Sequence, residues 1–185
     1  AAFLNEVVGD EVNPATQVVD RTSSIRITGM QTYWVGPVVY VKIETNHEIS
    51  GWGDLKGVDP RPAKVLVNSL FELLDGENPT RIEYLWQKLF RAHRNMRGGA
   101  LMVHSIAAID IALWDLKGKM FGQPIYKLLG GAWKTSLPFY ASIGGNGAER
   151  SLDDVLRIVE ERLKDQPAAI KIRFDNKRIT LDSDI

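Results

Sequence analysis

The longest apolar pattern in the chain runs from Ala107 to Gly131 and predicts a helix that lies inside the fold. Apolar side chains recur at three- and four-residue steps and also fill most of the remaining directions. A helix that is apolar nearly all round has to be covered on several sides. Gly122 can end this helix in the left-handed conformation, and Pro124 cannot continue it. We therefore expect the segment to form the central helix of a domain.

Three stretches rich in β-branched and aromatic residues precede this helix and predict strands. They cover residues 24–35, 38–45 and 49–54, and they are separated by Gly36-Pro37 and by a turn at 46–48. Connections this short favour antiparallel pairing of strands in sequence order. The sequence therefore predicts a three-stranded antiparallel meander.

Two amphipathic helices are predicted between the sheet and the central helix. The first begins at Pro60 or Pro62 and ends before Gly76. The second is expected to begin at Thr80, because Thr80 and Glu83 have the spacing of a capping box. Its apolar residues fit the helical template throughout: Ile82, Leu85, Trp86, Leu89 and Phe90. Sheet followed by helix bundle predicts an α+β domain.

The pattern changes near Leu137 to strand, helix, strand. Strands are predicted over 137–143 and 168–174, and Ser151 begins the helix between them. This spacing is typical of a βαβ unit with parallel strands. The predicted organisation is an N-terminal arm over residues 1–23, the α+β domain over 24–135 and the βαβ unit within 136–185.

Composition and charge exclude several classes of partner. Lys plus Arg and Asp plus Glu are both 23, so the net charge is zero, which argues against a nucleic acid or a membrane surface as partner. The chain has no cysteine, which excludes disulfides and thiolate metal sites. A cytoplasmic location is predicted, and an export signal removed before Ala1 would leave the same sequence.

Three motifs that follow one another in the chain resemble the enolase superfamily. They are Gly51-Trp52-Gly53, Arg97-Gly98-Gly99-Ala100 and the segment from Ala107 to Gly131. The residues of these motifs are most similar to those of the mandelate racemase/muconate lactonizing enzyme family, in its branch of acid-sugar (galactonate-type) dehydratases. The resemblance spans about residues 24–174. It implies an N-terminal capping domain followed by the start of a (β/α) barrel.

The resemblance also implies an activity. Members of this branch are lyases (hydro-lyases) that remove the proton α to the carboxylate of an acid sugar and then lose water to give a 2-keto-3-deoxy sugar acid. Racemase or cycloisomerase chemistry on the same scaffold is the alternative, since fold alone does not fix the reaction. The family implies Mg²⁺ held by three acidic residues on the third, fourth and fifth barrel strands, and a homo-oligomer.

The length of the chain limits what can be expected of it alone. A complete barrel takes about 250 residues, whereas 49 residues (185 − 136) follow position 136. We therefore expect no metal site and no Mg²⁺ binding by this chain alone, and no catalysis by it in isolation. A catalytically inactive, truncated interaction module is accordingly the second alternative.

Lys171 and Arg173 are the candidate catalytic residues. Alternate residues of a strand share a face, so both cations are expected on one side and their apolar neighbours on the other. Their positions match the family's Lys-x-Lys motif, which implies stabilisation of an enediolate intermediate. Lysine can act as a base, whereas arginine stays protonated and suits carboxylate binding. The alternative is that both are solvated charges on an exposed strand.

Three further residues are candidates for substrate binding. Tyr33 and Trp34 precede the Gly36-Pro37 turn, which the resemblance identifies as a mobile loop over the substrate. Lys56 lies in the second specificity loop of the family, over residues 54–59, and suits an acidic ligand. The alternative for the two aromatic residues is that they pack on a neighbouring helix.

The remaining titratable residues are expected to be structural. Asp110 and Asp115 are about 140° apart around a helix and cannot share a site. Asp115 is expected to pair with Lys119, and Asp110 to satisfy backbone groups. The histidines show no spacing typical of metal ligands: His47, His93 and His104.

Overall fold

The chain contains two compact units that divide between Gly131 and Ala132. The structure, a computed structural model, describes residues 23–96, 98–143 and 151–172. The predicted arm up to residue 22, Arg97 and Arg173 lie outside these ranges. The domain boundaries expected from the sequence stay a prediction.

The first unit begins with the predicted meander. Strands β1 (Ile27–Val35), β2 (Val38–Thr45) and β3 (Ser50–Leu55) pair antiparallel in the order β1-β2-β3. Along β2, every second residue from Val39 is buried, and the residues between them are half-buried or exposed. The alternation gives the sheet one apolar face, and the predicted α+β fold class is confirmed.

The sheet is followed by helices. They are α1 (Pro60–Ser69), continued by a 3₁₀ turn over Leu70–Leu73, then α2 (Ile82–Ala92), α3 (Ala100–Phe121) and the short α4 (Ile125–Leu128). None of the helices within the described ranges is both long enough and apolar enough to cross a membrane.

The start of α2 differs from the prediction. Its N-cap is Arg81, which makes no capping hydrogen bond through its side chain. The amide and the hydroxyl of Thr80 both donate to Asn78 Oδ1, each at 2.9 Å. The capping box at Thr80 is therefore wrong, because the asparagine side chain draws Thr80 into a turn that precedes the helix.

Helix α3 is the central element, as predicted. Its buried side chains include Ile106, Ile109, Leu113 and Leu116, all at most 1% exposed, and they form one cluster with the inner face of the sheet. Gly122 ends the helix with φ of +58°, the left-handed conformation that glycine adopts readily.

The glycines of the Gly51-Trp52-Gly53 motif let α3 lie directly against β3. A Cβ atom on Gly53 would be 2.0 Å from the carbonyl oxygen of Ala108, and one on Gly51 would be 2.0 Å from that of Ala112. No side chain fits at such distances. The motif is thus explained by backbone contact between a strand and a helix that carries small residues on the same side.

Helix α3 also covers the free edge of β3. The amide of Trp52 donates to Asp115 Oδ2 at 2.8 Å, and Lys119 Nζ donates to the carbonyl oxygen of Ser50 at 3.0 Å. Lys119 Nζ lies 2.5 Å from Asp115 Oδ2, which confirms the predicted i, i+4 ion pair. The ion pair satisfies backbone groups of an edge strand that could otherwise pair with another chain.

The second unit contains the predicted βαβ motif. Strands β4 (Tyr140–Ile143) and β5 (Ala169–Ile172) pair in parallel, and α5 (Leu152–Leu163) lies between them in sequence. Ser151 is the N-cap of α5, and its Oγ accepts a hydrogen bond from the amide of Asp154 at 3.1 Å. The parallel pairing is the arrangement with which a (β/α) barrel begins.

Candidate functional site

The predicted substrate-binding residues of the first unit lie at one end of its sheet. Trp34 is paired with Val39, and Val39 is paired with Leu55 on its other side, so the three residues form one row across the strands. Tyr33 precedes this row in β1, and Lys56 follows it directly after β3. The register therefore brings Tyr33, Trp34 and Lys56 to the same end of the sheet.

Tyr33 and Trp34 are neighbours in β1 and lie on opposite faces of the sheet. The ring of Tyr33 lies 5.5 Å from that of Trp52, centroid to centroid, and its hydroxyl donates to the side chain of Gln31. Trp34 Nε1 donates to the carbonyl oxygen of Gly36 at 2.6 Å and so holds the turn. Both aromatic side chains stay accessible, at 41% and 51% exposure.

Lys56 presents a cation at this end of the sheet. Its side chain is exposed and makes no hydrogen bond or ion pair with any residue of the described ranges. Lys42 on the outer face of the sheet differs, because Glu44 accepts a hydrogen bond from it at 2.6 Å, and that bond raises the pKa of Lys42. An acidic ligand at this end of the sheet would therefore meet Lys56 without displacing an internal partner.

The loop that bears Lys56 is held at both of its ends. The carbonyl oxygen of Lys56 lies 3.0 Å from His104 Nδ1 on α3. At the other end, the side chain of Asp59 caps α1 by accepting from the amide of Arg61 at 3.0 Å. Hydrogen bonds from the side chain and then the backbone of Arg61 lower the pKa of Asp59 to about 2. Sequence reasoning treated His104 as structural only and missed its contact with the loop.

Lys171 lies on β5 in the second unit. Its side chain is exposed, it is paired with Ser142 of β4, and its Nζ lies 5.8 Å from the ring centroid of Tyr140. A cation over an aromatic ring is weakly stabilised by the ring's quadrupole. The described part of β5 ends at Ile172, one position after Lys171. The catalytic role expected for Lys171 stays a prediction, as does that of Arg173.

Asp110 lines a cleft between α2 and α3. The cleft has a volume of about 380 Å³ and is bordered by Ile82, Glu83, Trp86, Asp110 and Trp114. Burial first, and the charge of Glu83 second, raise the pKa of Asp110. No described group donates a hydrogen bond to its carboxylate, so the expectation that Asp110 satisfies backbone groups is not met within the described ranges.

The three histidines have different environments and share no contact partner. His47 Nε2 is 3.0 Å from Ser24 Oγ, and His104 is bonded to the loop after β3. His93 Nδ1 is buried without a hydrogen bond partner in the described part of the chain. Within residues 23–96, 98–143 and 151–172, no three His, Asp or Glu side chains converge as metal ligands would.

Comparison with known sequences supports the resemblance. The profile of the mandelate racemase / muconate lactonizing enzyme N-terminal domain matches residues 13–130. A D-galactonate dehydratase of Variovorax paradoxus (strain S110) is 40% identical over 139 residues, which are 74% of this chain and 36% of that protein. The chain thus spans about a third of the length of the curated relatives it matches.

Solved structures give the same result for the fold. The mandelate racemase/muconate lactonizing protein of Paracoccus denitrificans PD1222, solved in complex with magnesium, has a TM-score of 0.72 and 38% identity, covering 82% of this chain and 43% of its own. An enolase superfamily member from Salmonella Typhimurium has a TM-score of 0.71 and 29% identity, covering 80% and 42%.

Proposed function

The chain belongs to the mandelate racemase/muconate lactonizing enzyme family, and on that premise we propose that it is the N-terminal portion of an acid-sugar dehydratase. The relatives named D-galactonate dehydratase, at about 40% identity, support this substrate class. The single structural observation behind the proposal is that Tyr33, Trp34 and Lys56 all lie at the same end of the sheet.

The chemistry of such a substrate matches these side chains. A sugar acid offers one carboxylate and several hydroxyl groups. The cation of Lys56 suits the carboxylate or another polar end of the sugar acid. The rings of Trp34 and Tyr33 suit the apolar faces of its carbon chain. The two rings flank the turn between β1 and β2, and a loop that closes over a ligand excludes water from it. We assign substrate binding to these three residues.

The reaction requires a proton to leave the carbon next to the carboxylate and the hydroxyl of the following carbon to leave as water. The product is then a 2-keto-3-deoxy sugar acid, one water lighter than the substrate. Negative charge accumulates on the carboxylate as the proton leaves, and cations nearby stabilise it. In this proposal Lys171 moves the proton or stabilises that charge, and Arg173 holds the carboxylate.

Magnesium ligands are not assigned to this chain. Its relative from Paracoccus denitrificans was solved with magnesium, and Mg²⁺ needs several converging oxygen ligands. The described residues offer no such group of carboxylates. No described residue is therefore assigned as a magnesium ligand.

Substitution of Lys171 in the complete polypeptide tests the catalytic assignment. Lys171→Ala should lower kcat for a sugar acid about 100-fold or more and change KM little, because the charge matters most in the transition state. Arg173→Ala should change KM as strongly as kcat, since it holds the substrate throughout the reaction. Steady-state kinetics on the purified variants measures both.

The control variant is Lys171→Arg, which keeps the charge but cannot exchange a proton at neutral pH. Activity near that of the wild type would leave Lys171 an electrostatic role and exclude it as the base. A neutral effect of Lys171→Ala would contradict any role of β5 in catalysis.

A further inference from the structure

The loop between β3 and α1 lies near the proposed substrate-binding end of the sheet, and His104 of α3 lies against it. Gly57 adopts φ of +88°, which residues with a side chain rarely adopt. A Cβ atom built there would be 3.5 Å from His104 Cε1 and 3.9 Å from Nδ1. The imidazole ring of His104 therefore lies beside Gly57, at the distance where a side chain on that residue would meet it.

The same ring makes a directed hydrogen bond to the loop. His104 Nδ1 is 3.0 Å from the carbonyl oxygen of Lys56. A carbonyl oxygen only accepts, so Nδ1 is the nitrogen that has the hydrogen. This contact joins positions 48 residues apart. It fixes the plane of the peptide between Lys56 and Gly57.

The helix that bears His104 is packed into the core. His104 lies on it between Met102 and Ser105, which are 1% and 0% exposed, and is itself half-buried. The Lys56 side chain, in contrast, is exposed and without a partner in the described ranges. The arrangement combines a fixed backbone with a free cation.

We propose that His104 is a positioning residue that fixes the direction in which Lys56 meets an acidic substrate, an inference that rests on the proposed function. A peptide plane held in place fixes the direction in which the Cα–Cβ bond of Lys56 leaves the backbone before the ligand arrives. Less conformational freedom is then lost on binding, which strengthens substrate binding without changing the chemical step. His104 does not touch the reacting atoms in this account.

Two variants of His104 separate the hydrogen bond from the bulk of the ring. His104→Asn places an amide NH₂ close to the position of Nδ1 and keeps a donor. His104→Phe keeps a ring against Gly57 and removes the donor. NMR order parameters of the backbone in the 185-residue chain measure the result. We expect the order parameter of Gly57 to be about 0.85 in the wild type and in His104→Asn, and to fall below about 0.6 in His104→Phe. Equal values in all three proteins would overturn the proposal.

Kinetics of the complete polypeptide then tests whether the contact acts through Lys56. His104→Phe should raise KM for a sugar acid about three- to tenfold, the effect of one lost hydrogen bond, with kcat within about twofold of the wild type. His104→Asn should restore KM. In a Lys56→Met background, His104→Phe should change KM no further.

The outcomes distinguish this inference from the function on which it rests. A KM effect of His104→Phe that persists unchanged in the Lys56→Met background would overturn the positioning role, because it would show a purely structural effect. Failure of the wild-type protein to convert any sugar acid would contradict the proposed function. The order parameters would still decide whether His104 fixes the loop.

Discussion

Asp110 is a half-buried carboxylate whose environment disfavours its charge. It faces the α2–α3 cleft with Glu83, and no described residue pairs with it. Burial and the neighbouring carboxylate raise its pKa, in that order of size. A group whose pKa is higher in the folded than in the unfolded state binds its proton more tightly in the folded state. Ionisation of Asp110 therefore destabilises the fold.

The pH dependence of stability follows from this direction. Below pH 3.8, the ordinary value, the carboxyl group is protonated in both states and has no effect. As the pH rises from there through the raised pKa of the folded state, the free energy of unfolding should fall. We expect Asp110→Asn to be more stable than the wild type at pH 7, and the difference to vanish below pH 3.8. Urea unfolding at several pH values measures it.

Glu83→Gln serves as the matched variant. It removes the charge of Glu83, the smaller of the two causes of the raised pKa of Asp110. It should therefore give only part of the increase in stability expected for Asp110→Asn. A gain from Asp110→Asn that is the same at every pH would contradict the explanation, since it would not depend on charge. The role of Asp110 could not be predicted from its spacing along α3, because what surrounds it comes from α2.

At the scale of elements, the contact between α3 and β3 decides the architecture of the first unit. Backbone approaches backbone there, because Gly51 and Gly53 oppose Ala112 and Ala108. Close approach lets the large side chains on either side of the glycines interdigitate with little empty space. A larger residue at either glycine would force the helix away from the whole sheet.

Gly53→Ala should therefore destabilise the first unit by about 3 kcal/mol or more, since the new methyl group would meet a carbonyl oxygen and neither backbone can move alone. Gly98→Ala is the control, because nothing lies within 4 Å of a Cβ atom there and its φ does not require glycine. Denaturant unfolding compares the two variants. Similar stability of both would show that α3 and β3 are not held together in this way.

Elements were predictable where a local pattern determines them. The alternation along β2 and the apolar surface of α3 are properties of neighbouring residues, and both elements form where expected. The start of α2 was not predicted correctly. Thr80 was the expected N-cap, but its amide and hydroxyl donate to the side chain of Asn78 instead. Two short polar side chains within three residues offer alternative hydrogen bonds of similar strength. Spacing alone does not rank them.

At the scale of the molecule, the sequence suggested which residues belong to the candidate site but not how they are arranged. Tyr33, Trp34 and Lys56 were identified by resemblance. The strand register explains how residues about 20 positions apart in sequence come to lie at the same end of the sheet. The bond from His104 to Lys56 depends on how α3 lies over the sheet. No local pattern encodes such a contact.

The described residues of the second unit leave apolar surface exposed. Apolar side chains are exposed on its helix and on its second strand: Leu152 and Leu156 of α5 are 74% and 50% exposed, and Ile172 of β5 is 40% exposed. Strands of a parallel sheet are normally covered on both faces. This exposure, together with the third of the relatives' length that the chain spans, supports its proposed place as part of a larger dehydratase.

The mass of the product formed from D-galactonate tests the central claim most directly. The complete polypeptide containing this chain would be incubated with D-galactonate and Mg²⁺, and the product analysed by mass spectrometry. The account predicts a 2-keto-3-deoxy acid lighter than the substrate by one water. A product of unchanged mass would indicate a racemase or cycloisomerase. Absence of any conversion, for this and other sugar acids, would contradict the assignment as a dehydratase altogether.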